Sequence, residues 1–497
     1  MILTIDLGTS VTKAAVWDAS GSPAWGRAEL ETSFGPGGRV EQDPRSWWAS
    51  MVAACAQLGA AMGGTLPPVD AVCFSAARQT FVPVRADGEP IGAGILWSDR
   101  RASTEAAALA ASLGGVEVVR QRTGMVLDGA AVAAKIAWLA RHEPERLEEA
   151  RWLLSPRDLA VLWLTREVAT DPTMATASGL YDASQRAIPE LVGDAGGRLP
   201  EVVPPATVIG VLRATPAGHL GLRPGIPVAV GAGDRACEVI GTAASPTLPM
   251  LSWGTTANVS APVDRRPSTL PPGLVATAGA LGGWLLEGGL SAAGSLVTWL
   301  GEVTGSDVDT LMARAAQSPP GARGVTATPW LGGARAPWWR DEARAAFVGL
   351  GFEHDRGDLA RAAVEAIAHD AVACLHAISD SVLAVPKELG ACGQATNAGL
   401  WLEIVAAMTG LPVVLRRVGE AASAGAAVIG ASAVGGRLSI DDIDPVREVM
   451  APDPTLTAEY LELLPALATV TMGILALAEA RATPGPRDSP SPDPSAG

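Results

Sequence analysis

Cysteine, lysine and long uncharged apolar runs are all scarce in this 497-residue chain. Five cysteines stand far apart with no Cys-x-x-Cys pair, which argues against a disulfide framework or a zinc site and favours reduced, buried thiols. They are Cys55, Cys73, Cys237, Cys374 and Cys392. The three lysines are Lys13, Lys135 and Lys387, and arginine is used elsewhere. Such a bias hints that the remaining lysines are chemically needed.

No apolar segment of the sequence predicts a membrane span. Residues 470–477 are apolar, but the segment is short and Glu479 follows it. The first residues enter a predicted strand at once and include Asp6, which is not the pattern of a secretory signal. We therefore expect a cytoplasmic protein with no membrane partner.

The net charge of −15 and the pI near 4.9 describe an acidic protein. Nucleic-acid phosphates would be repelled by such a surface, so we expect no nucleic-acid partner. A nucleotide remains compatible, because a local loop and Mg²⁺ can neutralise a triphosphate.

The beginning of the chain predicts a hairpin. Residues 2–5 and 14–17 are β-prone and flank a turn that contains Gly8, Thr9 and Ser10. Backbone N–H groups and hydroxyls in such a turn can hold phosphate oxygens. Asp6 at the strand end can hold a divalent cation, and Lys13 adds positive charge. An ordinary hairpin with a polar turn is the alternative.

A second copy of this pattern occurs at residues 250–260, where Gly254 and Thr255 occupy the turn. It has no carboxylate at the position of Asp6, so a cation would be held from the first copy only. Two such hairpins indicate duplicated halves that face each other across a phosphate chain. We therefore predict an α/β fold with two actin-like ATPase (ribonuclease H-like) domains and a cleft between them.

The length fits two large domains rather than one. We predict an amino-terminal sugar- and phosphate-binding domain at residues 1–244 and a nucleotide-binding domain at 245–440. A carboxy-terminal helical extension is predicted at 441–483. Residues 484–497 are rich in Pro, Ser and Asp and are predicted to be a disordered tail.

Polar residues follow several predicted strands, where α/β sheets present ligand-binding groups. Arg78 and Gln79 follow one strand and are candidates for contacts to substrate hydroxyls, or belong to a solvated loop. Asp99 either caps the next helix or contacts the substrate. Asp234 begins a helix after a glycine-rich turn, where an ionised carboxylate is favoured. It is either a proton acceptor or a simple N-cap.

Two other segments bear on ligand binding. The small-residue loop that includes Gly393 and Asn397 opens a helix and can seat an adenosine or a phosphate. Asp43 and Pro44 predict a strong helix start. The tandem Trp47-Trp48 in that helix is compatible with a sugar cleft or with core packing.

Several short motifs resemble the FGGY family of carbohydrate kinases, most closely its xylulokinases, over residues 1 to about 434. They are Asp6-Leu7-Gly8-Thr9-Ser10 with Lys13, Glu41-Gln42-Asp43-Pro44 with Trp47-Trp48, Ile95-Leu96-Trp97-Ser98-Asp99, Lys135-Ile136-Ala137-Trp138, Gly231-Ala232-Gly233-Asp234, Ser252-Trp253-Gly254-Thr255-Thr256 and residues 393–401. Their order and spacing together are specific.

The resemblance implies ATP-dependent phosphorylation of a sugar or polyol hydroxyl. It implies that Asp234 is the catalytic base and that Asp6 lies near Mg²⁺. It also places the phosphates near the first hairpin and Thr255, and the adenosine near Gly393 and Asn397. The partner expected from it is a small sugar or polyol, and a homodimer is compatible with it.

Two departures from the family pattern bear on the substrate and the nucleotide. Xylulokinases carry Met-His-Gly where this chain has Arg78-Gln79-Thr80, and a one-residue shift matches Arg78 and Gln79 to the Arg-Glu pair of glycerol kinases. Gln394 replaces the second glycine of the adenosine loop. Xylulose leads as the predicted acceptor, and gluconate, glycerol and erythritol follow. An actin-like chaperone or filament ATPase and a non-catalytic sugar sensor are the other interpretations.

Overall fold

The computed structural model describes residues 1–21, 24–393 and 399–482. The strands of the first half are β1 Ile2–Leu7, β2 Val11–Trp17, β3 Trp25–Glu29, β4 Ser33–Gly35, β5 Arg39–Gln42, β6 Ala71–Ala76, β7 Val82–Val84, β8 Gly94–Ile95, β9 Trp152–Leu154, β10 Ala169–Thr170, β11 Glu201–Val202, β12 Val208–Val211, β13 Pro227–Ala229 and β14 Ala232–Gly233. Those of the second half are β15 Met250–Trp253, β16 Ala257–Val263, β17 Val275–Ala278, β18 Trp284–Leu290, β19 Thr326–Thr328, β20 Ala346–Val348, β21 Leu389–Cys392, β22 Val413–Arg416 and β23 Val446–Met450.

The helices of the first half are α1 Pro44–Ala61, α2 Ser103–Ser112, α3 Val116–Thr123, α4 Val132–His142, α5 Pro144–Glu148, α6 Pro156–Thr165, α7 Pro172–Ala177, α8 Pro189–Val192, α9 Ala214–Leu220 and α10 Asp234–Gly241. Those of the second half are α11 Gly294–Thr304, α12 Val308–Gln317, α13 Arg356–Val382, α14 Gly399–Thr409, α15 Ala421–Ala433, α16 Ile440–Ile443 and α17 Pro454–Ala482. Short 3₁₀ turns lie at Pro36–Gly38, Gly193–Arg198 and Ala322–Gly324.

Two mixed sheets of the same design form the centre of the two halves. The first has the order β12-β13-β6-β1-β2-β3, with β14 also paired to β6. The second has the order β17-β18-β16-β15-β21-β22-β23. In each sheet an antiparallel hairpin (β1–β2 or β15–β16) is followed by parallel strands on one side. Both predicted hairpins are therefore confirmed, and so is the internal duplication.

Local sequence signals place the helices correctly at several points. Asp43 caps α1 by accepting a hydrogen bond from the backbone N–H of Arg45, and Pro44 is the first helical residue. The long apolar segment near residue 360 forms α13, most of whose side chains are buried. The segment after residue 440 holds a strand, β23, between two helices, and β23 pairs with β22 in the second sheet.

Helices α10 and α15 lie between the two sheets and belong to different halves of the chain. They cross so closely that a Cβ on Gly241 would lie 2.0 Å from the carbonyl oxygen of Ala421. A Cβ on Gly425 would lie 2.0 Å from the carbonyl oxygen of Cys237. Larger side chains at these two positions would force the backbones apart. One apolar core, with residues from both halves, surrounds the crossing.

Two helices of the described residues are long and apolar enough to span a membrane by length and composition alone. In α13, 72% of the 18-residue apolar window is buried inside the protein, as in a core helix. In α17 the buried share is 22%. The apolar residues 470–477 thus belong to a much longer helix than the sequence indicated.

Candidate active site

Three parallel strands bring distant candidate residues to one edge of the first sheet. In the sheet register, Asp6 of β1 lies beside Ser75 of β6, and Ser75 lies beside Ala232 of β14. Arg78 follows β6 and Asp234 follows β14 directly. Because the carboxyl ends of these strands coincide, Asp6, Arg78 and Asp234 meet where the second half faces the first.

A cavity of about 660 Å³ opens at this edge. Its wall includes five predicted site residues from three separate parts of the sequence. They are Asp6, Gly8, Lys13, Asp234 and Gly393. The wall also contains Arg27, Arg416, Arg417 and Arg447. An arginine-rich wall in an otherwise acidic protein favours the binding of an anion such as a nucleotide.

Asp6 has the chemistry of a cation ligand. It is almost completely buried, and its Oδ1 atom has no hydrogen-bond partner in the described residues. Burial raises the pKa of Asp6, and the charge of Lys13 and the nearby Ser75 hydroxyl oppose the rise. A buried carboxylate oxygen without a partner costs free energy unless a cation or donor reaches it. Asp6 therefore fits a divalent ion.

Glu238, one turn beyond Asp234 on α10, also lies in the cavity wall. Burial raises its pKa, with Asp234 and Asp6 adding to the rise and Arg235 opposing it. The Ser252 hydroxyl of the second hairpin donates a hydrogen bond to Glu238 Oε1 at 3.2 Å. In the described part of the chain no three His, Cys, Asp or Glu side chains form a complete metal cluster. Mg²⁺ commonly takes one or two carboxylates and completes its shell with water and phosphate oxygens. A site with Asp6 and Glu238 as its carboxylates is therefore compatible with the lack of a three-residue cluster in the described residues.

Asp234 lies at the amino-terminal end of α10 and is partly exposed to the cleft. Its Oδ1 atom accepts a hydrogen bond from the backbone N–H of Arg235 at 2.7 Å. The Nε atom of Arg78 lies 3.4 Å from the same oxygen. Both contacts are made to the Oδ1 atom of Asp234. The Asp234 side chain is 38% exposed, so a ligand can still reach its carboxylate.

Arg78 joins the two halves of the protein. Its Nη1 and Nη2 atoms donate to the two carboxylate oxygens of Glu287 on β18, at 2.8 and 2.7 Å. Glu287 is 1% exposed and also accepts a hydrogen bond from the Thr277 hydroxyl. Burial alone would raise the pKa of Glu287, but Arg78, Arg235 and Thr277 together hold it below its ordinary value. Arg78 is therefore a fixed, charge-paired group beside Asp234.

Lys13 is paired with a residue that the sequence did not single out. Its Nζ atom lies 2.6 Å from Glu420 Oε2, and Arg27 Nη2 lies 2.6 Å from Glu420 Oε1. Burial lowers the pKa of Lys13, but Asp6 and Glu420 raise it by more, so the net shift is upward. Lys13 is thus a stable cation opposite Asp6 in the hairpin register.

Gln79 and Asp99 contact other parts of the protein, and neither lies in the wall of the 660 Å³ cavity. Gln79 has φ of +59°, and its carbonyl oxygen lies 3.4 Å from the Nζ atom of Lys135. Asp99 is fully buried and accepts hydrogen bonds from the backbone N–H of Val40 and from Arg101. It is not part of the wall of the 660 Å³ cavity. This position favours support of the loop over direct contact with a substrate.

The alternative prediction that Asp99 caps the following helix is wrong. Helix α2 begins at Ser103, and its N-cap residue is Ala102, with no capping hydrogen bond from a side chain. The carboxylate of Asp99 is already engaged by Arg101 and by the N–H of Val40. Three residues of loop separate Asp99 from the helix, so it cannot act as the cap.

The remaining predicted residues of the two hairpins are not among the wall residues of the 660 Å³ cavity. Thr9 Oγ1 accepts a hydrogen bond from the indole N–H of Trp97 at 2.8 Å, and Ser10 is exposed. The carbonyl oxygens of Gly254 and Thr255 accept from backbone N–H groups at the start of α11. Thr255 itself is exposed. Asn397 and Gln394 lie outside the described residues.

Gly393 closes the contact between the second hairpin and β21. Its φ is +91°, and a Cβ there would lie 1.9 Å from the carbonyl oxygen of Trp253. We expect Gly393→Ala to lower the free energy of unfolding by about 1–3 kcal/mol, through left-handed strain and this clash. Urea unfolding measures the change. Gly473→Ala in α17 is the control, because nothing lies within 4 Å of its Cβ. Equal midpoints for Gly393→Ala and the parent chain would contradict the expectation.

Lys135 supports the loop that carries Arg78. It is fully buried in α4, and its Nζ donates to the carbonyl oxygen of Leu96 at 2.7 Å. Burial lowers its pKa to about 7, and Asp99 and Asp128 oppose this. The folded protein therefore releases this proton at lower pH than the unfolded chain, whose lysine keeps its ordinary pKa near 10.5.

It follows that stability contributed by Lys135 rises with pH between about 7 and about 10, by up to about 1.4 kcal/mol per pH unit. We expect urea unfolding of Lys135→Met to lack this component of the slope. Lys387→Met is the matched control, since Lys387 is exposed. A parent chain and a Lys135→Met variant with the same pH slope would disprove the expectation.

Two family models cover most of the chain. The amino-terminal domain model of the FGGY family of carbohydrate kinases matches residues 1–241, and the carboxy-terminal domain model matches residues 250–434. The chain belongs to the FGGY family of carbohydrate kinases. It is therefore a phosphotransferase, and this membership decides against the chaperone, filament and non-catalytic sensor interpretations.

Individual relatives of this FGGY kinase carry different substrate names. The chain is 30% identical to a xylulose kinase of Streptomyces rubiginosus, over 86% of each chain. It is 31% identical to a glycerol kinase of Leptothrix cholodnii, over 89% of this chain and 92% of the relative. The crystal structure of gluconate kinase from Lactobacillus acidophilus superposes with a TM-score of 0.88 at 22% identity, covering 97% of this chain and 99% of the other. The two-domain actin-like fold is thereby confirmed, and the FGGY kinase has relatives that share kinase activity and differ in the acceptor that their names give.

Proposed function

We propose that the protein transfers the γ-phosphoryl group of ATP to a hydroxyl of a neutral ketose or polyol, with Asp234 as the base. D-Xylulose, which would give D-xylulose 5-phosphate, is the leading acceptor. The observation that carries the proposal is the position of Asp234 between Arg78 and the cavity that Asp6 and Lys13 line. There a carboxylate can reach an acceptor hydroxyl beside bound phosphates.

The chain's own residues supply what phosphoryl transfer to an alcohol requires. Asp234 accepts the proton that leaves the acceptor hydroxyl. Lys13 and the backbone N–H groups near Gly8 stabilise negative charge on the phosphoryl oxygens. The two halves exclude water, which is a smaller competing acceptor, when they close over the cleft.

Mg²⁺ fits the carboxylates of this site. Asp6 would hold the ion, because its Oδ1 atom is buried and has no partner in the described residues. Glu238 would supply a second carboxylate in the same cavity wall. When bound, Mg²⁺ would neutralise charge on the phosphate oxygens. We expect Asp6→Asn to raise the Mg²⁺ concentration needed for half-maximal activity about tenfold or more. A Mg²⁺ titration at fixed ATP measures this, and an unchanged requirement would remove Asp6 from the metal site.

The charges near Asp234 favour a neutral acceptor over a sugar acid such as gluconate. Arg78 is paired with Glu287, and Arg235 with Glu238, so neither guanidinium is free for a carboxylate ligand. Asp234 adds a further negative charge. An acidic sugar would meet a net negative surface, whereas the hydroxyl groups of a neutral acceptor can donate to these carboxylates.

The motifs of the chain support two classes of neutral acceptor, ketoses and small polyols. With a one-residue shift, Arg78 and Gln79 align with the Arg-Glu pair of glycerol kinases, while most of the other motifs resemble xylulokinases. Relatives of both names lie near 30% identity. Glycerol and erythritol are therefore the alternatives to xylulose.

An assay of acceptor-dependent ADP release tests the proposal. D-Xylulose, glycerol, erythritol and gluconate are compared at equal concentrations with ATP and Mg²⁺, and Asp234→Asn reports the background ATP hydrolysis. We expect the neutral acceptors to give the highest kcat/KM. Fastest turnover with gluconate would overturn the charge argument, and no stimulation by any sugar or polyol would overturn the proposed function.

A further inference from the structure

A second pocket lies on the outer face of the first half, where α1, α6 and α9 meet. It has a volume of about 560 Å³ and shares no wall residue with the active-site cavity. We call it the outer pocket. Its wall contains the aromatic side chains Trp48, Trp163 and His219 and the basic side chains Arg45, Arg166 and Arg213.

The aromatic rings form one continuous group. Trp48 lies with its ring centre 5.9 Å from that of Trp163, at an interplanar angle of 82°. The ring of His219 lies 5.8 Å from Trp48 at 72°. Both tryptophans are only partly buried, in contrast to Trp47 one residue earlier, which is 2% exposed. Both tryptophans pack against the apolar core, and the part that stays exposed gives the outer pocket an aromatic wall.

The arginines of the outer pocket have spare hydrogen-bonding capacity. Arg213 makes no ion pair or side-chain hydrogen bond in the described residues, and it is exposed. Arg166 donates to one backbone carbonyl, that of Asp87, at 2.7 Å. Arg45 has a long ion pair with Glu89, at 3.7 Å. Glu89 is the one acid in the wall, so three guanidinium groups face one carboxylate in a protein of net charge −15.

We propose that the outer pocket binds a planar aromatic ring that carries a phosphate, the chemistry of a mononucleotide. The ring contacts the Trp48 and Trp163 surface, and the phosphate accepts hydrogen bonds from Arg213 and Arg166. Arginine suits this role because its planar fork pairs with phosphate oxygens. The volume lies within the range of small-molecule sites. The inference is independent of the acceptor assigned to the active site.

Titration calorimetry with three probes tests the proposal on the full chain. AMP offers ring and phosphate together, adenosine the ring alone, and inorganic phosphate the anion alone. Hydrogen–deuterium exchange with AMP distinguishes the outer pocket from the active-site cavity, because residues 44–48, 163–166 and 213–219 report the first and residues 415–422 the second. We expect AMP to protect the outer-pocket segments and to bind there at least about tenfold more tightly than adenosine or phosphate.

Arg213→Ala supplies the matched variant, with Arg223→Ala as its control, since Arg223 is an exposed arginine outside the outer pocket. We expect Arg213→Ala to weaken AMP binding at the outer pocket about fivefold or more and Arg223→Ala to leave it unchanged. Sugar phosphorylation without AMP should be the same in both. Protection confined to residues 415–422, no protection by AMP, or equal AMP affinity in the two variants would each overturn the proposal.

Discussion

Asp234→Asn is expected to lower kcat by about 10³-fold while the protein stays folded and still binds ATP. The amide has nearly the shape of the carboxylate and keeps an oxygen for the N–H of Arg235, so α10 should begin as before. It cannot accept the proton of an acceptor hydroxyl. The loss should therefore fall on kcat and kcat/KM together, because proton acceptance matters in the transition state and not in substrate binding.

The measurement is steady-state ADP release with the preferred acceptor, together with the affinity for ATP by calorimetry. Asp309→Asn is the control, since Asp309 is an exposed carboxylate in the first turn of another helix, α12. It should behave as the parent. Turnover of Asp234→Asn within a factor of three of the parent would refute the assignment of Asp234 as the base.

Arg78→Met is expected to be the most destabilising single change near the site. It leaves Glu287, which is 1% exposed, without its bidentate partner. Removal of one member of a buried ion pair costs about 3–5 kcal/mol of unfolding free energy. Urea unfolding measures the loss, and Arg85→Met is the control, because the Arg85–Glu149 pair is exposed and should contribute less than about 1 kcal/mol.

A second substitution separates the buried charge from the packing of Arg78. In the double variant Arg78→Met/Glu287→Gln the uncompensated charge is gone, and we expect much of the stability to return. The pH dependence has a definite sign. Because the folded pKa of Glu287 lies below its unfolded value, its contribution is present above the unfolded pKa and is lost as pH falls through the folded pKa. The double variant should therefore lose less stability than the parent as pH falls below about 4.5. If the double variant is no more stable than Arg78→Met alone, the buried charge is not the cause.

That Asp6, Lys13 and Asp234 line one cavity could be predicted from the sequence, because each is tied to a local signal. Asp6 and Lys13 flank a glycine-rich turn, and Asp234 follows a strand at the start of a helix. Parallel strands end at a common edge, so residues that follow them meet in space even when the chain separates them widely. The duplicated hairpins likewise predicted the two halves and the cleft.

The partners of these residues could not be predicted in the same way. Glu287 lies within a strand and Glu420 at the beginning of an Ala- and Gly-rich helix, and neither belongs to a motif of charged residues. Their roles depend on which face of an element is buried against the other half. Asp99 shows the converse case, since its position before a predicted helix suggested a cap or a substrate contact, whereas tertiary packing buried its carboxylate against Arg101.

Helix α15 has a consequence for how the chain acquires its structure during synthesis. Ser423 on this helix shares hydrogen bonds with Thr4 and with the indole of Trp17 on the first two strands. The apolar residues beneath those strands are completed by Ala424 and Ala427 of the same helix. Strands β1 and β2 are thus synthesised long before the helix that covers them, which lies more than four hundred residues downstream. An amino-terminal fragment that stops before α15 should expose this surface and depend on chaperones or aggregate.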